Sequence, residues 1–171
     1  MKRHTISVLV ETKFGVLARI AGLFSGRGFN IDSLNVSPPH DETLSRMTIL
    51  THGDDHVLEQ IEKQLNRLVE VVKVTDLTGS GFVSRELMLI KVKTNGTNRG
   101  EIIQMANVFK ANVVNVAHDS LVIEVTGPIE TCDAFVELMG AFGIVELART
   151  GRVALARSSQ PTEMIDQPPS E

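Results

Sequence analysis

The chain has 171 residues, a formal net charge of -4, 42 % apolar residues, no Trp, no Tyr and a single Cys. That length holds one ordinary domain or two small ones, with a core built from Val, Ile, Leu, Met and a few Phe. The lone cysteine excludes an internal disulfide framework and fits a reducing compartment, and the scattered bases form no stripe that would neutralise the phosphates of a nucleic acid.

No apolar run is long enough to span a bilayer. Met1-Lys2-Arg3 has the positive start of a signal peptide, but the apolar stretch Ile6 to Val10 is short and Glu11 and Lys13 interrupt it. A cytoplasmic location is therefore expected.

Thr5 to Val10 alternates and is rich in β-branched residues, which predicts a strand. Val16, Leu17, Ile20, Leu23 and Phe24 repeat at helical spacing after Gly15, and Gly26 and Gly28 stop that helix. Ile31 to Val36 and Leu44 to Thr51 are expected strands around Pro38-Pro39. Gly53-Asp54-Asp55 caps a helix whose apolar stripe is Val57, Leu58, Ile61, Leu65 and Leu68. Val69 to Leu77 closes a β-α-β-β-α-β order, the ferredoxin-like arrangement.

Thr78-Gly79-Ser80-Gly81 is expected to be a linker, after which the pattern recurs. Phe82 to Val92 is a strand and Asn98 to Lys110 a helix, with Ile102, Met105, Ala106 and Phe109 inward. Val113 to Ala117 and Leu121 to Val125 flank a turn at His118-Asp119. A helix starts near Pro128 and runs to about Ala141. Ile144 to Ala148 is the closing strand, continued by Val153 to Ala156.

The fold class is thus α+β, two tandem ferredoxin-like βαββαβ domains with antiparallel sheets and helices on one face. Their expected bounds are 1–78 and 82–157, with a disordered, Pro-, Ser- and acid-rich tail over 158–171. Units this small bury little surface, and a sheet covered on one face needs a partner for its other face or its edge. A dimer is the expected solution.

The turn Glu11-Thr12-Lys13-Phe14-Gly15 joins the first strand to the first helix. A helix N-terminus offers free N–H groups and partial positive charge, suited to a carboxylate or phosphate, and Gly15 allows close approach to the backbone. Asn30, where the second strand begins, both donates and accepts. Two accounts stay open on spacing alone: a site for the charged groups of an amino acid, or a tight turn plus an Asn holding a helix C-terminus.

Other candidates are weaker. Gly26-Arg27-Gly28 follows a helix, whereas a dinucleotide fingerprint opens one. His52-Gly53-Asp54-Asp55-His56 holds metal-capable groups, but a glycine separates the histidines, so a solvated turn is expected. His118-Asp119-Ser120 has triad residue types in a hairpin turn that splays them. Cys132 lies in an apolar helix as a structural thiol. Arg19, Arg46 and Arg85 are candidates for pairing with carboxylates or meeting a partner protein. Glu59, Glu62, Lys63 and Arg67 fit an exposed helix face. No cluster unites a nucleophile, a base and an orienting group, which argues against catalysis by the chain alone.

Several long strings occur in order: Gly22-Leu23-Phe24-Ser25-Gly26-Arg27-Gly28-Phe29-Asn30-Ile31-Asp32-Ser33-Leu34, then Leu44-Ser45-Arg46-Met47-Thr48-Ile49, then Leu58-Glu59-Gln60-Ile61-Glu62-Lys63-Gln64-Leu65, then Ser84-Arg85-Glu86-Leu87-Met88-Leu89. In these the chain, from about Lys2 to Arg157, resembles the small regulatory subunit of acetolactate synthase (acetohydroxyacid synthase). The resemblance implies an N-terminal ACT domain that pairs into a homodimer and binds a branched-chain amino acid, typically valine, sometimes leucine or isoleucine. It implies that Thr12, Gly15, Val16 and Leu17 hold the effector from one chain, and Asn30 and Ile31 from the other.

It further implies a partner, the large catalytic subunit, which would condense two pyruvates, or pyruvate with 2-oxobutyrate. That subunit would carry thiamine diphosphate, magnesium and FAD, with no cofactor or metal in this chain. The small subunit would raise the partner's activity and confer feedback inhibition. Two positions depart from the family: Thr12 stands where Asn is usual and removes an amide donor, and Phe14 adds bulk where a small residue or Pro is usual. A rival function is a stand-alone tandem ACT sensor acting on another partner. A transcriptional role would need a DNA-binding element, and none is visible.

Overall fold

Alternation along the first strand decides the fold of the first half. A computed structural model describes residues 2–79 and 81–157. Ser80 of the expected linker and the expected tail over 158–171 lie outside the described residues. The first elements are β1 (Lys2–Glu11), α1 (Val16–Gly26), β2 (Ser33–Ser37), β3 (Leu44–Gly53), α2 (Asp55–Leu65) and β4 (Val71–Asp76). They form an antiparallel sheet in the order β2-β3-β1-β4. β1 pairs along its whole length with β3, from Lys2 opposite Gly53 to Glu11 opposite Leu44. Ile6, Val8 and Val10 therefore share a face with Met47 and Ile49, and that face packs on Ile20 and Phe24 of α1 and Ile61 and Leu65 of α2. The α+β class and the helices-on-one-face arrangement are as the sequence predicts.

The helix ends follow local chemistry. Gly28 adopts a left-handed φ of 70°, and the N–H of Phe29 reaches back to Phe24 O at 2.9 Å, which terminates α1. Asp54 caps α2 by accepting from the Val57 N–H at 2.9 Å. On the exposed side of α2, Lys63 pairs with Glu59 four residues earlier at 2.6 Å, as expected.

The second half repeats the topology with β5 (Phe82–Lys93), α3 (Arg99–Val108), β6 (Asn112–Val116), β7 (Ser120–Gly127), α4 (Ile129–Gly140) and β8 (Ile144–Arg149), in the order β6-β7-β5-β8. Met88, Ile90 and Val92 of β5 face Ile102 and Ala106 of α3 and Phe135 and Met139 of α4. Phe109 meets Phe135 edge-on, centroids 5.1 Å apart.

The chain divides into two compact units. One runs to Val83 and takes in the chain again from Arg152; the other is Ser84–Gly151. β9 (Val153–Ala156) is therefore no continuation of β8. It is a separate strand that pairs with β5, and Arg157 donates its backbone N–H to Gly81 O at 2.8 Å. The Thr150-Gly151 corner, with Gly151 at φ 77°, ends the run of β8.

The far face of the first sheet, for which a partner at face or edge is expected, is already buried in the single chain. Thr5, Ser7, Leu9, Thr48 and Leu50 point away from the helices and are buried as well. β9 lies against β1, and buried Arg152 donates from Nη1 to Thr5 Oγ1 at 2.8 Å. In the second unit the corresponding face leaves Leu87 and Leu89 partly exposed.

A buried charge was not foreseen. The sequence drew attention to Arg85, which is exposed and donates to the backbone carbonyl of the neighbouring Ser84 at 2.7 Å. Its neighbour Glu86 turns inward, with a side chain 3 % exposed, and receives a two-pronged contact from Arg149: Nε to Oε1 at 2.9 Å and Nη2 to Oε2 at 2.6 Å. Arg149 Nη1 also reaches Asp133 Oδ1 at 2.7 Å. The Glu86 hydrogen bond, then burial working against it, leave the Arg149 guanidinium held above its ordinary range. Breaking a buried pair strands a charge, whereas removing both partners does not. Arg149→Met is expected to lower unfolding free energy by about 3–5 kcal/mol, and adding Glu86→Met to recover most of it, read by urea denaturation.

Cys132 is fully buried in α4, as the apolar spacing implied, and its Sγ lies 3.9 Å from Glu86 O. Burial first, then the nearby Glu86 carboxylate, push the thiol up. A raised acid pKa means the folded state keeps the proton. Any stability this contributes is present below the ordinary thiol range and is lost as pH rises through the folded value. The native protein at about pH 8 should not react with a disulfide reagent such as DTNB, while the unfolded chain should react fully. Rapid native labelling would show that the α4 site opens.

Candidate functional site

The β1–α1 turn is built by one backbone requirement. Gly15 sits at φ 83°, ψ -2°, a left-handed conformation that turns the chain straight into α1. A Cβ placed on Gly15 would meet nothing within 4 Å, so the demand is conformational and the space above it is open. Thr12 anchors the turn's start, its N–H donating to Thr43 O at 2.7 Å and its hydroxyl 2.9 Å from Ser45 Oγ. Lys13 forms an ion pair with Glu11, which raises the Lys13 pKa through that hydrogen bond and the adjacent charge.

The N-terminus of α1 is chemically unlike the others. α2 carries a cap and Asp55 in its first turn, and α3 and α4 have Glu101 and Glu130 there. α1 has neither a side-chain cap nor an acidic residue in its first turn. Its orphan N–H groups and positive end are left without a side-chain acceptor.

Around this end, Phe14 is fully exposed and Leu17 is 45 % exposed, two apolar side chains open to a ligand or a second chain. Val16 is different. Its side chain is 4 % exposed and belongs to the core, so it offers the ligand backbone and no side-chain surface. Arg19, a candidate for partner contact, forms an ion pair with Glu70 of its own chain. Arg46 donates to Ser7 Oγ at 3.0 Å.

Asn30 and Ile31 lie elsewhere. They follow α1 and precede β2, where Asp32 N donates to Leu50 O at 2.8 Å. That places them beside His52, which is opposite Arg3 on β1. The Gly15 turn follows Glu11, at the other end of β1. At about 3.3 Å per residue the two ends are on the order of 25 Å apart. One chain therefore brings together Thr12, Gly15, Val16 and Leu17, and separately Asn30 and Ile31, but not the two groups.

His52, set aside in the sequence as a turn residue, belongs to the Asn30 end. Its Nδ1 lies 2.9 and 3.0 Å from the two Asp32 carboxylate oxygens. Asn30 and His52 both line a cavity of about 550 Å³ with Lys2, Phe29 and Asp54. Asn30 and Asp32, two apart at a strand start, were the available signal. The strand register that adds His52 was not. His56 turns instead to Gln60, 2.8 Å away, and among the described residues no His, Cys, Asp and Glu group is arranged to hold a metal. No helix among the described residues is long and apolar enough to cross a membrane.

Tandem βαββαβ units, the first with an uncapped helix after its first strand, define the chain as an ACT-type protein. Its residues 6–73 match the model of the AHAS small subunit-like ACT domain, and residues 85–158 match that of the small subunit of acetolactate synthase. The chain belongs to the acetolactate synthase small subunit family. It is 54 % identical over 158 residues to a probable acetolactate synthase small subunit of Archaeoglobus fulgidus, covering 92 % of this chain and 99 % of that one. It is 49 % identical over 154 residues to the acetolactate synthase small subunit of Mycolicibacterium smegmatis, covering 90 % and 91 %. The crystal structure of the small subunit from Thermotoga maritima superposes with a TM-score of 0.84 at 40 % identity, covering 94 % of this chain and all of that one.

The turn makes its own prediction. Gly15→Ala should cost about 1–2 kcal/mol through backbone strain alone, and Gly15→Asn less, because Asn enters the left-handed region more readily. Equal urea midpoints for Gly15→Ala and the parent would show that the turn relaxes.

Proposed function

We propose that this chain is the regulatory subunit of acetolactate synthase: it raises the activity of the large catalytic subunit and, on binding a branched-chain amino acid, lowers it again. The observation that carries the proposal is the open N-terminus of α1 at Gly15, which has neither cap nor first-turn acid. Backbone N–H groups there suit the effector's carboxylate. Leu17 and Phe14 present apolar surface for a side chain such as that of valine.

The separation of the Gly15 turn from Asn30 and Ile31 supports a site shared between two ACT domains, the turn from one protomer and Asn30 with Ile31 from its partner. The homodimer is then part of the site. Effector binding shifts the complex toward a less active state only through different affinity for the two states. The condensation of 2-oxo acids would belong to the catalytic partner, which would carry thiamine diphosphate, magnesium and FAD, and this chain would supply no cofactor and no catalytic residue. The proposed compartment is the cytoplasm.

The test is acetolactate formation by the cognate catalytic subunit, with and without this chain, across a valine titration. Activation followed by inhibition is expected. Activation with no response to valine, leucine or isoleucine would keep the partner and remove the effector. No complex and no activation would leave a stand-alone amino-acid sensor as the function. Thr12→Asn, which restores an amide donor at the turn, is expected to lower the valine concentration for half-inhibition about fivefold, the equivalent of one hydrogen bond.

A further inference from the structure

Asn30 is fixed by its neighbours more tightly than an exposed asparagine needs to be. Its backbone carbonyl accepts from the Thr51 hydroxyl. Its side-chain Nδ2 donates to Asp32 Oδ1. Asp32 is held in turn by His52 Nδ1, at 2.9 and 3.0 Å from its two oxygens.

The identity of these atoms follows from chemistry. An ionised carboxylate only accepts, so the atom of Asn30 facing Asp32 is the amide nitrogen, and the His52 Nδ1 facing it carries a proton. The 3.4 Å approach of Asn30 Nδ2 to His52 Nδ1 is then a contact between two donors and not a hydrogen bond. One N–H of Asn30 Nδ2 bonds Asp32, which fixes the orientation of the amide and leaves its acceptor, the carbonyl oxygen Oδ1, for a ligand. Among the described residues no donor meets it.

We infer that Asp32, braced by His52, is a positioning residue of the effector site: it locks the Asn30 amide so that its carbonyl oxygen accepts from the ammonium of the bound amino acid. The inference rests on the effector reading above and divides the ligand between the two ends. The uncapped α1 N-terminus takes the carboxylate, and Asn30 Oδ1 takes the ammonium. Without Asp32 the amide is free to turn its nitrogen outward, where it would meet the ammonium with a donor.

The test is calorimetric titration of valine into the full chain for the parent, Asn30→Ala, Asp32→Ala, the double variant and Asp32→Glu. Each alanine single is expected to weaken valine about tenfold. The double variant should bind no more weakly than Asn30→Ala, because Asp32 acts through Asn30. Asp32→Glu, which keeps the carboxylate, should recover most of the affinity. Asp32→Ala binding like the parent, or a double variant losing the product of the single losses, would overturn the inference while leaving the effector reading intact. A parent chain that binds neither valine, leucine nor isoleucine would overturn both. Should Asp32→Ala fail to fold, His52→Leu against His52→Gln decides: Gln retains an N–H for Asp32 and should bind within about threefold of the parent, Leu more weakly. Equal affinities for the His52→Leu variant and the parent would count against the brace.

Discussion

The first unit depends on the pairing of β1 with β3. β1 is central in its sheet, bonded to β3 on one side and β4 on the other. Its alternation commits Ile6, Val8 and Val10 to the helices, and a slip of one residue would present Thr5, Ser7 and Leu9 to them instead. The register also sets the geometry of the proposed site. It puts Leu44 beside Glu11 at the turn end and His52 beside Arg3 at the other. α1 starts at the turn end, and the chain leaving it reaches Asn30 at the His52 end. Two patches at opposite ends of one sheet can share a small ligand only if a second copy supplies one of them.

Each end has its own polarity. The turn end offers backbone donors that no side chain of the helix satisfies. At the Asn30 end one amide N–H is bonded to Asp32, which orients the group and leaves its carbonyl oxygen as the acceptor. A free amino acid carries both charges on one carbon, and in the proposed site the two ends would complement them separately. The apolar side chains exposed at the turn, Leu17 and Phe14, would set the remaining preference of that proposed site by size and shape. Val16 contributes to the core rather than to this surface, which ties the turn's position to the packing of α1.

The second unit repeats the strand order without repeating the turn chemistry. Where β1 leads through Gly15 into an open helix, β5 leads into a loop closed on itself: Asn95 Oδ1 accepts from the N–H groups of Thr97 and Asn98, and Asn98 Oδ1 accepts from that of Asn95. Its polar investment lies inside, in the Glu86–Arg149–Asp133 cluster. A buried ion pair of this kind gives weak net stability but a strong penalty when one partner is lost. Glu86 on β5 and Arg149 at the end of β8 form that pair across neighbouring strands.

The sequence by itself determined the elements, because periodicity of two or near 3.6 and glycine stops are local signals. Thr5 to Val10, the helix after Gly15, the Asp54 cap and the repeated βαββαβ order were all legible, as were the turn around Gly15 and the place of Asn30. The tertiary structure decided what depends on residues far apart in the chain. Asp32 meets His52 across twenty positions and Glu86 meets Arg149 across 63, through strand registers that no local pattern encodes. It made β9 a strand of its own, buried the far face of the first sheet, and took Val16 into the core. Local spacing fixes which way a side chain points along its own element; only the pairing of elements fixes what it meets there.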